Sequence, residues 1–117
     1  MAILNLTQHP GTPEQGVTEP TEKEGVRALL TFGGLPSKEE VSARAEALAE
    51  MAAAAGADAA MIGGAPYLMA LLESALRSRG IKPLYAFSER RSVEFTSPSG
   101  EVEKRSVFQH LGFYDAS

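Results

Sequence analysis

The stretch Ala57-Asp58-Ala59-Ala60-Met61-Ile62-Gly63-Gly64-Ala65-Pro66-Tyr67-Leu68 decides the fold. Through Ile62 it is a short apolar run of the kind that buried strands use, and two glycines then break it. Pro66 opens a helix, because its fixed φ suits the first helical turn and its missing N–H is no loss there. That helix is predicted over Pro66 to Arg79, with Gly80 as its C-terminal stop. A buried strand, a glycine turn and a helix in immediate succession form one unit of an α/β sheet.

Reading toward the N-terminus, Ser37-Lys38-Glu39-Glu40 is a capping box that starts a helix over Lys38 to Ala55, closed by Gly56. Val41, Ala45, Leu48 and Met51 or Ala52 recur at helical spacing and form its buried stripe. Further back, Ile3, Leu4 and Leu6 mark a first buried strand over Ala2 to Leu6, which delivers Thr7, Gln8 and His9 to its carboxyl end. Thr12-Pro13-Glu14-Gln15 reads as a second capping box and predicts a short helix halted by Gly16. Residues Val17 to Gly25 read as an exposed connection. Val26 to Phe32 is read as a helix or turn, although a short apolar run also fits a strand.

Reading toward the C-terminus, Lys82 to Phe95 and Val102 to Phe113 are both rich in Val and Phe, and Ser97-Pro98-Ser99-Gly100 between them is a turn signal. The C-terminal third is therefore expected to be a long β-hairpin whose first part continues a parallel sheet. The alternation of strands and helices implies right-handed crossovers. The expected fold is α/β: one small Rossmann-like three-layer domain over residues 1–117, with parallel strands and a C-terminal antiparallel β-hairpin.

Composition narrows the function classes. The chain has 117 residues, 44% hydrophobic and 22% charged, close to globular averages. It contains no cysteine, which removes disulfides, thiolate nucleophiles and cysteine-ligated zinc, and with two histidines neither a metal site nor a cofactor is expected. A net charge of -4 argues against broad binding to duplex nucleic acid, which needs many Lys and Arg contacts to phosphate. The N-terminus has no basic region, and its apolar stretch is too short for a signal peptide or a membrane span, so no membrane partner and a cytoplasmic location are expected.

In open α/β sheets, ligands bind beyond the carboxyl ends of the strands, where helix N-termini offer backbone N–H groups. Three segments are expected to converge there: Thr7-Gln8-His9, Gly63-Gly64-Ala65-Pro66, and Ser88-Glu89-Arg90-Arg91. Gly63 and Gly64 let backbone approach a ligand, and the helix after Ala65 directs its positive dipole end at the same place, so a phosphate is the expected guest. The same glycines also suit a plain tight turn. His9 is a candidate general acid or base, since its ordinary pKa lies near neutrality, or else a residue that bonds Thr12 or nearby backbone. Thr7 and Gln8 either bind a sugar or base edge or pin the first loop. Arg90 and Arg91 could neutralise a phosphate, yet neighbours on a strand face opposite ways, so one at most serves a given site. Pairing with Glu94, Glu101 or Glu103 is the competing role. His110 on the returning strand is equally ambiguous.

The segments Asn5-Leu6-Thr7-Gln8-His9, Thr12-Pro13-Glu14-Gln15, Gly63-Gly64-Ala65-Pro66-Tyr67-Leu68 and Tyr85-Ala86-Phe87-Ser88 resemble a family of small uncharacterised proteins from bacteria and their phages. In fold outline the chain is also similar to small CRISPR-associated Rossmann-like proteins that bind cyclic oligoadenylates, some of them ring nucleases. That resemblance implies a homodimer that binds a nucleotide-type ligand such as a cyclic oligonucleotide, with any cleavage made without a metal. By role it implies that Gly63 and Gly64 hold phosphate, that Thr7, Gln8 and Ser88 position ribose or base, and that His9 or Arg90 assists catalysis. Two other readings stand beside it: a non-catalytic module that captures a partner through its hairpin edge, and a small hydrolase or transferase acting on a phosphorylated or nucleoside metabolite.

Overall fold

Strands β1 (Ile3–Leu6) and β2 (Ala59–Ile62) are each four residues long, and alternate side chains leave each strand on opposite faces of the sheet. Leu4, Leu6, Ala60 and Ile62 share one face, and all four belong to a single core cluster. The cluster takes Val26 and Leu30 from α1 (Lys23–Leu30), Val41, Ala45 and Leu48 from α2 (Lys38–Ala54), and Leu68, Leu72 and Leu76 from α3 (Pro66–Ser78). All three helices therefore pack on that face, so the α/β domain has two layers of secondary structure where three were expected. This computed structural model describes residues 1–117.

The four-stranded sheet has the order β1-β2-β3-β4. β1 and β2 pair in parallel from Ile3↔Ala59 to Leu6↔Ile62, and β2 pairs in parallel with β3 (Lys82–Thr96) from Ala59↔Lys82 to Met61↔Leu84. β4 (Val102–Asp115) returns antiparallel to β3, giving the expected α/β domain with parallel strands and a C-terminal hairpin. On the face away from the helices, Asn5, Ala59, Met61 and Leu84 are buried. Near β1 this face is covered by irregular chain: Asn5 is bonded to the His9 carbonyl and to Glu19.

Several elements match the sequence reading closely. Ser37 caps α2 by accepting from the Glu40 N–H at 3.1 Å, and α3 starts at Pro66. Val26 lies on a helix, but α1 begins at Lys23, inside the stretch read as a connection. Within that stretch Thr18 also bonds β1 on its outer edge, donating to the Ile3 carbonyl at 2.7 Å and accepting from the Asn5 N–H at 2.8 Å.

The helix predicted after Thr12 is a correction, because residues 13–16 form a turn. Half of the capping box exists, with the Gln15 side-chain oxygen accepting from the Thr12 N–H at 3.0 Å. Pro13 and Glu14 are exposed and Gly16 leaves the right-handed region at φ 64°, so no apolar stripe repays the cost of helix nucleation.

The hairpin is longer than the sheet it joins. It is interrupted by a bulge, where Phe87 faces Gly112 and Ser88 faces His110, leaving Leu111 as the extra residue. Gly112 has φ 145°, a conformation that L side chains rarely adopt. Beyond the bulge the ribbon is solvated on both faces and the molecule measures 58 × 35 × 24 Å.

Candidate functional site

A cleft of about 460 Å³ opens beyond the carboxyl ends of the parallel strands. Thr7, Gln8, His9 and Pro10 line it after β1, Met61, Ile62, Gly63 and Gly64 at the end of β2, and Tyr85 and Ala86 on β3, with Gln15 reaching in from the turn.

The wall after β1 is built from Asn5, the one fully buried polar residue of the core. Its amide nitrogen donates to the His9 carbonyl at 2.8 Å and to the Glu19 carboxylate at 2.9 Å, while its oxygen accepts from the Thr7 N–H at 3.0 Å and the Thr7 hydroxyl at 2.7 Å. Two cations on α1 complete the wall. Lys23 Nζ donates to the carbonyls of Thr7 at 2.9 Å and His9 at 3.1 Å, and Arg27 Nε donates to that of Gln8 at 3.1 Å. With the carbonyls of residues 7, 8 and 9 held by α1, the N–H groups of Gln8 and His9 make no hydrogen bond within the protein. The same is true of the N–H groups of Gly63 and Gly64.

Each cation is balanced, Lys23 by Glu19 at 3.0 Å and Arg27 by Glu24. Burial works to raise the Glu19 carboxyl, but hydrogen bonds from Asn5, the Gly11 N–H and Lys23 together hold it below its ordinary value. The lining itself has no carboxylate, and His9 and Tyr85 are its titratable side chains. Burial, and then the neighbouring Glu73 carboxylate that accepts a hydrogen bond from its hydroxyl, push the Tyr85 phenol well above the usual range. Tyr85 thus stays neutral, and His9 stands exposed at the rim.

Gly64 has φ 154°, a backbone state that a side chain would strain, although a Cβ there would meet only ordinary contacts with Met69 and Leu30. Gly63 shows no such constraint, and a Cβ on it would lie 3.7 Å from Thr7 Cγ2. The glycine pair therefore has two different jobs, one shaping the turn and the other keeping the cleft floor low.

Of the residues singled out in the sequence, Thr7, Gln8, His9, Gly63 and Gly64 meet in this cleft. Ala65 caps α3 beside it without lining it. Ser88 and Arg90 lie past the bulge, with Arg90 about 13 Å along the ribbon from Ala86 at ~3.3 Å per residue, so the structure does not bring them to His9. Arg90 stands 5.5 Å over the Phe108 ring and Arg91 pairs with Glu89 at 3.5 Å, on opposite faces as strand geometry requires. His110 lies against Phe113, also away from the cleft. Thr7 spends its hydroxyl on Asn5 and the loop, and Gln8 turns its amide toward the end of α1, so both hold the wall in place.

Sequence reasoning missed Asn5, Glu19, Lys23 and Arg27. A signal for Asn5 was available, since a polar residue between Leu4 and Leu6 in a buried strand must satisfy its amide internally. Nothing local distinguishes Lys23 or Arg27 from solvated helix charges.

A larger groove of about 850 Å³ runs between the loop at Gly34-Leu35-Pro36, the start of α2, and Tyr67 and Leu71 of α3. Its lining is mostly apolar, with Ser37, Lys38 and Ser42 at the α2 side.

The Uncharacterized protein MJ1673 family matches residues 1–114. The chain belongs to this family. No curated protein and no solved structure matches it. In this member of the MJ1673 family no helix is long and apolar enough to cross a membrane.

Proposed function

We propose that this protein is a cytoplasmic homodimer whose strand-end cleft binds a nucleotide-type ligand, a cyclic oligonucleotide above all, in prokaryotic defence or counter-defence. The observation that carries the reading is the set of four backbone N–H groups, at Gln8, His9, Gly63 and Gly64, that have no partner in the protein and belong to a cleft without a carboxylate. Such donors suit phosphate oxygens, and the nearby start of α3 adds its positive dipole end. Because every nearby cation is already ion-paired, the site favours a ligand of modest charge density, whose sugar and base contribute contacts of their own.

Cleavage is the further step of this reading. A ribose 2′-hydroxyl attacks the adjacent phosphorus, its proton passes to the His9 imidazole, and the P–O5′ bond breaks as the 5′-oxygen takes a proton from water. The products are a 2′,3′-cyclic phosphate and a 5′-hydroxyl. Arg90 is too far along its own ribbon to assist within one chain.

The test is a panel of cyclic di-, tri-, tetra- and hexanucleotides, with mononucleotides and inorganic phosphate alongside, read by thermal stabilisation and product analysis. One cyclic ligand is expected to stabilise the protein by mass action. Gly63→Val, which fills the cleft floor without straining the backbone, is expected to weaken binding at least tenfold. His9→Ala is expected to abolish product while retaining most binding. No stabilisation by any ligand would remove this reading. Turnover of mononucleotides alone would favour a metabolite hydrolase. The exposed Phe108, Val102 and Val93 on the projecting ribbon favour a second reading, a non-catalytic module that captures a protein partner.

A further inference from the structure

Past the bulge the hairpin has two unpaired edges. β4 has no neighbour on its outer side, and β3 is paired with β2 only over Lys82–Leu84, so its edge is open from Tyr85 onward. A two-stranded ribbon standing alone in water is marginally stable, and this one also exposes apolar side chains, Phe108 being 73% accessible. Its charge is informative. Between Ser88 and Gln109, Glu89, Glu94, Glu101 and Glu103 are matched by Arg90, Arg91, Lys104 and Arg105, so the ribbon is neutral on a chain of net charge -4. A neutral, sign-alternating edge suits a second copy of itself better than it suits a polyanion or a strongly basic partner.

We infer that the open edge of β3 pairs antiparallel with the same edge of a second copy, around a two-fold axis at Ser92. In a symmetric antiparallel pair the axis sets one residue opposite its own copy, so each possible register can be judged by its charges. Axes at Glu89, Arg90, Arg91 or Glu94 on β3, and at Glu103, Lys104 or Arg105 on β4, oppose like charges. Axes at Val93, Phe95, Ser106, Val107 or Phe108 pair no opposite charges. The axis at Ser92 sets Arg90 opposite the partner's Glu94 and, by symmetry, Glu94 opposite the partner's Arg90, with Arg91 opposite the partner's Val93. Both groups are available: Arg90 has no carboxylate within ion-pair distance, and Glu94 is held only by exposed Lys104 at 4.0 Å.

This register has a consequence for the cleft. It aligns the partner's Thr96 with Ser88, so that the partner's turn falls beside Phe87 and Ala86, in line with β2 where that strand stops at Ile62. Ala86 and Gly63 both line the cleft, so the turn of the second copy closes its open side and places the partner's Ser97 and the partner's Ser99 at its rim. The inference rests on the homodimer of the preceding reading and is independent of the ligand.

The absence of cysteine makes the register directly testable. Residues directly opposed in an antiparallel pair have Cα atoms about 4.5 to 5.5 Å apart, within disulfide reach. Ser92→Cys is expected to give a disulfide-linked dimer on mild oxidation, and Ser106→Cys, its cross-strand neighbour on the other edge, is expected to stay monomeric on a denaturing gel. By analytical ultracentrifugation, Arg90→Glu and Glu94→Arg are each expected to weaken dimerisation at least tenfold, and the double exchange R90E/E94R to restore it. Cross-linking at Ser106 with none at Ser92, an Arg90→Glu protein that dimerises like the parent, or a parent that is monomeric at 100 μM-order concentration would each overturn the inference. Cross-linking at Ser92 in a protein that binds no nucleotide would leave the dimer standing and remove only the proposed ligand.

Discussion

Asn5 uses both amide hydrogens and its oxygen inside the protein, at distances between 2.7 and 3.1 Å. Asn5→Leu conserves approximate volume but leaves the Thr7 N–H without its acceptor and takes from the Glu19 carboxylate one of its three donors, the others being the Gly11 N–H and Lys23. It is expected to destabilise the protein by roughly 1–3 kcal/mol in a urea titration, the usual cost of orphaned buried polar groups. Glu19 gives the same network a pH dependence. Its folded carboxyl lies below its ordinary value of 4.5, so its contribution is fully present above that pH and is lost as pH falls through the folded value. Glu19→Gln is expected to flatten the fall of stability as pH drops below 4.5 compared with the parent. At Gly64, φ 154° predicts that Gly64→Ala lowers stability by about 1–3 kcal/mol through backbone strain alone, with Gly63→Ala near neutral, which paired thermal melts distinguish.

At the scale of elements, helix ends follow local chemistry and strands follow their neighbours. Ser37 accepts from the Glu40 N–H, and Ser37→Ala is expected to cost about 1 kcal/mol, read by chemical denaturation. The turn after Thr12 carries half the same motif yet forms no helix, because a cap lowers the cost of a helix end and does not supply the burial that repays the rest. α3 is fixed at both ends, by Pro66 and by Gly80 at φ 72°, and its apolar side carries Leu68, Leu72 and Leu76 into the core. β3 changes character along its length: Pro83 and Leu84 are buried in the sheet, and Ser88 onward belongs to a solvated ribbon.

For the whole molecule, the ribbon governs dimensions. The radius of gyration is 17.1 Å, whereas a compact chain of this length has about 13 Å. Small-angle scattering on a monomeric variant such as Arg90→Glu is expected to give a value near the larger figure. A value near the smaller one would mean that the ribbon folds back onto the core. In the dimer inferred above, pairing along β3 would set the cores at opposite ends of a shared ribbon, with the cleft of each beside the other's turn.

By itself the sequence determined what depends on short-range order. The strand and glycine turn at Ala59 to Gly64, the helix start at Pro66, the capping box at Ser37 and the hairpin turn at Ser97 to Gly100 are all written in neighbouring residues, whose steric and hydrogen-bonding preferences act without the rest of the chain. The nearness of Thr7, Gln8, His9, Gly63 and Gly64 was also legible, because parallel strands must end on the same side. Only the tertiary structure decided that Lys23 and Arg27 hold the carbonyls of residues 7 to 9, that irregular chain anchored on Asn5 covers the second face near β1, and that Ser88 and Arg90 are carried away from the cleft. The last of these follows from β3 running on as a ribbon past Leu84, where its pairing with β2 stops. Pairing register is a cooperative property of strands far apart in sequence, and no single residue carries it.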